Sequence, residues 1–151
     1  MQKHLLCVMI ALSSIILLNS CGKDDEPAPP EEKSKTTLIT QSSWKFEKAL
    51  SGGIEVSTYI PACWKDNIAV FAIAGTGTLD ESANICPTSA AGPFTWSFQT
   101  SETMLLLSAP LFSGGSNSFT IVDINETNLV VSQVVTVPTI GAQNVVFYFK
   151  H

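Results

Sequence analysis

The side chains able to do chemistry in this chain are few, and their spacing argues against most of it. The two histidines are His4 and His151, at the two ends of the sequence. A serine nucleophile needs a base that is itself held by a third group. With no internal histidine, none of the many serines has one, and Lys45, Lys48 and Lys65 read as exposed on strand or loop. Paired carboxylates are the other route to acid–base work. Asp80-Glu81 and Asp123 with Glu126 fall at strand ends, where acids ordinarily mark turns. The run Asp123-Ile124-Asn125-Glu126-Thr127-Asn128 is dense in calcium-type oxygens, but it lacks the glycine and terminal glutamate of a helix–loop–helix site. A hairpin turn accounts for it without a metal. The expectation is a non-enzymatic domain with no catalytic residue, no metal and no cofactor.

The four cysteines separate into two kinds. Cys7 lies inside a start that carries Lys3 and His4, then a low-charge apolar run from Leu5 to Leu18, closed by Asn19-Ser20-Cys21. A run of that length is too short to span a bilayer comfortably and suits a signal peptide. Leu18-Asn19-Ser20-Cys21 resembles the bacterial lipobox, which implies that residues 1–20 are removed and that Cys21 is acylated. Two acyl chains give stable anchoring, since each buried methylene contributes about 0.8 kcal/mol. Cys63 and Cys86 remain, in a chain sent to an oxidising compartment, and a disulfide is the natural reading. Such a bridge closes a loop worth roughly 3 kcal/mol in chain entropy. Two free buried thiols are the alternative.

Residues 21–35 hold three prolines and a dense run of charge with no apolar period. They read as an extended tether to the bilayer. Lys23-Asp24-Asp25-Glu26 resembles the acidic export signal of surface lipoproteins in Bacteroidota-type bacteria. That implies an outer-membrane lipoprotein displayed on the cell surface, with a periplasm-facing anchor as the alternative. The sequence contains no arginine, and thirteen acids outnumber eight lysines. A groove that tracks phosphates needs clustered positive charge, so nucleic acid is excluded as a partner.

Residues 36–151 must position whatever site exists. They show no convincing 3.6-residue period. Short runs of Val, Ile, Thr and aromatics alternate with Gly, Pro, Asn and Ser clusters. Eight strands are expected, at 43–50, 67–73, 76–80, 94–98, 104–108, 118–124, 129–137 and 143–150. Strands in simple succession suggest an antiparallel up-and-down barrel. On these bounds the long connections, 51–66, 81–93, 109–117 and 138–142, all fall at one end, and the short ones at the other. The long-loop end is the expected mouth, with both cysteines of the proposed bridge beside it. Tyr59, Trp64 and Phe112 are the candidate ligand-binding residues there, because pockets are lined by apolar groups around a few polar ones. The alternative is that Trp64 and Tyr59 fold down as a lid.

From Trp44 to Lys150 the chain resembles the lipocalin-like domain of bacterial lipoproteins. The resemblance is carried by Ser43-Trp44-Lys45-Phe46, Pro61-Ala62-Cys63, Lys65-Asp66-Asn67, Phe71 with Gly75-Thr76, Asp80-Glu81, Cys86, Trp96-Ser97, Thr120-Ile121 and Asn128-Leu129-Val130. It implies an eight-stranded barrel with one disulfide, an unassigned ligand and no catalytic motif. The expectation is therefore an anchored lipocalin-like lipoprotein that binds a small apolar or amphipathic ligand at its mouth. A protein-interaction or structural module of a surface complex is the alternative, suggested by runs apolar on both faces at Met104-Leu105-Leu106-Leu107, Val130-Val131 and Val134-Val135.

Overall fold

The computed structural model describes residues 32–112 and 115–151. The signal peptide, Cys21 and most of the tether lie outside the described residues. The strands are β1 (Ser43–Ser51), β2 (Ile54–Glu55), β3 (Ile68–Phe71), β4 (Thr76–Asp80), β5 (Gly92–Gln99), β6 (Met104–Leu107), β7 (Ser118–Ile124), β8 (Asn128–Val137) and β9 (Gly141–Lys150). Each of β3 to β9 pairs antiparallel with its sequence neighbour, β1 pairs with β3, and β1 also pairs with β9, which closes the ring. β2 is a two-residue return against the end of β1 and not a wall strand. The result is the eight-stranded antiparallel barrel that the alternation implied, with strand bounds within a few residues of those expected.

Period-two patterning decides which side chains fill the interior. Phe94 and Trp96 on β5, Leu105 and Leu107 on β6, and Val145, Phe147 and Phe149 on β9 are all buried. The expected apolar outer face is not continuous. Leu106 and Val134 do point outward, but the ladder places Ser118 beside Leu106. Single exposed apolar residues of this kind are ordinary on a soluble surface. Two glycines are required by geometry. Gly75 turns the β3–β4 hairpin at φ +77°. A Cβ on Gly77 would stand 2.5 Å from both the Phe94 ring and the Val70 carbonyl oxygen.

The short connections, 72–75, 100–103 and 125–127, form the base. An unexpected helix, α1 (Lys35–Thr40), closes it. Ser34 caps α1 by accepting from the Thr37 amide at 3.1 Å. Leu38 and Ile39 are buried, and the Ile39 carbonyl accepts from the Trp44 indole at 2.8 Å. Lys35 reaches the Glu102 carbonyl at 2.7 Å, and Lys33 pairs with Glu126 at 2.6 Å. The expected tether therefore ends sooner than residue 35. The compact unit begins at Glu32 instead of residue 36. A six-residue helix of Lys, Thr, Leu and Ile is too short to show a period.

Candidate functional site

The mouth is built from the connections at the other end of the barrel, three of them long, while the expected long β8–β9 connection is only residues 138–140 because β8 and β9 pair as far as Val137 and Gly141. The first connection carries a 3₁₀ turn (Ser57–Tyr59) and a short helix, α2 (Ala62–Lys65). Cys63 on α2 is bonded to Cys86 in the β4–β5 connection, with their Cα atoms 5.2 Å apart. The bridge thus staples two mouth loops together and fixes the next residue, Trp64, above the opening. Asp66, just past α2, strengthens the same junction. Its Oδ2 accepts from the amides of Ala83 and Asn84 and from the Asn84 side chain, at 2.8–3.2 Å. Desolvation pushes the Asp66 pKa up, but these hydrogen bonds outweigh it and hold the group below its ordinary value.

The three candidate ligand-binding residues separate in their placement. Phe112 is 1% exposed and reaches down the axis, with ring centroids 4.7 Å from Phe147 and 6.2 Å from Phe119. Trp64 is 6% exposed and stacks on Phe112 at 5.1 Å. Tyr59 stays 48% exposed on the rim. The stack is thus an apolar plug, and of the two lid candidates it is Trp64, not Tyr59, that folds down. Below it, the hollow left between Trp44, Phe71, Leu105, Leu111, Phe119 and Phe149 is about 10 Å³. A drug-sized ligand needs a pocket of about 300 Å³ or more. Occupancy of the barrel centre by such a ligand therefore requires the plug to move. Ile54 and Ile85 also project into solvent from two of the mouth loops.

Two functional candidates escaped the residue-by-residue reading. Asn67 and Glu81 are 5% and 3% exposed, the most buried polar side chains among the described residues of this end. Asn67 Nδ2 donates to the Leu111 carbonyl at 3.1 Å, and Glu81 Oε1 accepts from the Ala90 amide at 2.7 Å. Each therefore ties a loop to the rim. Glu81, expected as an exposed turn acid, is instead an inward group. Parity was the available signal: Asn67 extends the buried positions Ala69 and Phe71, and Glu81 extends Gly77 and Leu79.

The other acids do different work. Asn125 Oδ1 accepts from the amides of Thr127 and Asn128, Asp123 Oδ2 accepts from Asn125, and Glu126 is paired with Lys33. The hairpin turn uses these oxygens itself. The hydrogen bond and charge of Lys33 hold the Glu126 pKa below its ordinary value. Among the described residues, no three His, Cys, Asp or Glu side chains come together as metal ligands. Compared with protein-family models and with curated proteins, the chain matches none.

Proposed function

We propose that the chain is a lipocalin-like lipoprotein, non-enzymatic, anchored to the outer membrane through acylated Cys21. On this reading it binds a small apolar or amphipathic ligand at the mouth, between Tyr59, Trp64 and Phe112. The Trp64–Phe112 stack carries the reading. It is apolar surface held by loops, not by strand ladders, so a ligand of similar shape can exchange for it. Burial contributes about 25 cal/mol per Å² of apolar surface, so trading one apolar filling for another leaves that term nearly unchanged. Lys33, near the start of the described residues, pairs with Glu126 at the base, which supports a mouth that faces away from the bilayer. The acidic start of the tether favours cell-surface display over the periplasmic face.

The test is a titration with N-phenyl-1-naphthylamine, an uncharged apolar probe. Saturable binding is expected, and Phe112→Ala should tighten it about fivefold by leaving a cavity where the plug stood. Absence of saturable binding in both proteins would overturn the ligand reading. The tether is tested separately: Cys21→Ala should move the protein out of the membrane fraction, and retention there after a salt wash would refute the anchor.

A protein partner is the second reading, favoured by Ile54, Tyr59 and Ile85 standing exposed on loops of one end. Under it, an Ile54→Ser, Ile85→Ser double variant loses a specific cross-link on intact cells and keeps its probe binding. Unchanged cross-linking would exclude that face.

A further inference from the structure

The β3–β4 ladder ends with Ile68 opposite Asp80, and Asn67 and Glu81 are the residues next beyond that last rung on the two strands. Both side chains point inward at the rim and both are more than nine-tenths buried. Each spends one atom on a loop, Asn67 Nδ2 on Leu111 and Glu81 Oε1 on Ala90. Among the described residues, nothing donates to the other two atoms, Asn67 Oδ1 and Glu81 Oε2. A buried acceptor without a donor is costly, and a buried carboxylate oxygen more so. The last rung itself holds its Cβ atoms about 4.5–5.5 Å apart, so the residues just beyond it leave the ladder side by side, where one group can bridge them.

What that group must be follows from the atoms. Both free positions accept and neither donates, so the occupant presents N–H or O–H. One of them belongs to a carboxylate, so positive charge is favoured. The lysines that pair with acids among the described residues, Lys33 and Lys150, do so with Glu126 and Glu47 at the base. Calcium asks for six to eight oxygens, far more than two side chains supply. A primary ammonium has three donors and one charge, which fits. Asp66, adjacent in sequence and with Oδ1 also lacking a described donor, adds negative charge to the same rim.

We infer that the ligand of the mouth is an amphiphile with an amine head, its ammonium received by Glu81 Oε2 and Asn67 Oδ1 and its apolar body replacing the Trp64–Phe112 stack. This rests on the ligand-binding reading above and adds the head-group chemistry to it. A carboxylate or phosphate head is disfavoured there, since it would meet Glu81 with like charge and no donor.

The test is calorimetric titration of the full chain, carrying Cys21→Ser so that it bears no acyl groups, with octylamine, octanol and octanoate. Octylamine is expected to bind at least tenfold more tightly than either of the others. Glu81→Gln should bring octylamine to within about threefold of octanol. Equal binding of the three by the wild-type protein would overturn the head-group inference and leave the ligand reading standing, the result expected if water alone satisfies the two oxygens. Binding of none would overturn the ligand reading itself. The wild-type comparison decides the matter even if Glu81→Gln does not fold.

Discussion

The two ends of the barrel are closed by different means. At the base a capped helix docks under the strands, and the Trp44 indole, itself 1% exposed, is hydrogen-bonded to that helix. The His151 ring lies 4.0 Å from the Trp44 ring and accepts or donates nothing to the mouth; its Nδ1 is 3.1 Å from the Ser43 carbonyl. At the mouth the closing groups are side chains on loops, Trp64 and Phe112, held by a covalent staple and by three buried or half-buried polar side chains, Asp66, Asn67 and Glu81. A base of this kind opens only with the domain. A mouth of this kind can rearrange while the wall stays intact, which is where stability is ordinarily lowest and binding ordinarily occurs.

The largest expected effect is at the base. Trp44→Ala should lower the unfolding free energy by about 3–5 kcal/mol, the range for truncating a core aromatic. Denaturant titration measures it, and probe binding in the remaining folded fraction should persist. A loss under about 1 kcal/mol would mean that the base is not the anchor described. Reduction of Cys63–Cys86 comes next, at about 3 kcal/mol. Hydrogen exchange should then rise at 62–65 and 81–91 and stay unchanged in α1 and β1. Equal loss of protection at both ends would abolish the distinction between them. Ser34→Ala removes the cap of α1 and should cost about 1 kcal/mol, with Ser34→Asp close to wild type.

Acid gives the smallest effect and the sharpest contrast. Asp66 and Glu126 both have lowered pKa values, so each contributes stability that is present above its ordinary value and lost as the pH falls through the lowered one. The Glu126–Lys33 pair is an exposed ion pair that salt screens. The Asp66 contacts are hydrogen bonds to backbone and amide donors. Added salt should therefore erase the acid response of the base, read as protection of α1, and leave that of the 83–84 amides. A mouth response equally erased by salt would show that charge alone holds the junction.

The wall was legible because strands write a period. Lys45 between Trp44 and Phe46, or Thr95 between Phe94 and Trp96, states which residues share a face, and Gly75, Glu102 and Gly141, all at positive φ, state where the chain turns. The pairing of Cys63 with Cys86 was legible from count, since they are the two cysteines left once Cys7 and Cys21 are set aside. Loops write no period, so nothing in the sequence told whether Trp64 and Phe112 faced water or the interior. Glu81 sits one residue beyond a strand end, where a polar side chain usually means a turn, and Asn67 opens the strand expected at 67–73; only the parity of their neighbours tells that both face inward. Helix α1 was hidden for the opposite reason. Its β-branched Thr36, Thr37, Ile39 and Thr40 favour extended chain, and docking of Leu38 and Ile39 overrides them.

The pairing of β1 with β9 sets a schedule for assembly. Lys45 lies opposite Lys150, so the first strand finds its final neighbour among the last residues of the domain. Every hairpin from β3 to β9 can form as soon as its two strands exist, but the ring cannot. A chain that emerges residue by residue, from a ribosome or through a membrane pore, holds an open sheet with two unpaired edges until β9 is free. Such edges invite pairing with other chains. Loss of β9 would therefore yield an aggregating species in place of a smaller barrel, and the interval before closure is when a chaperone would matter most.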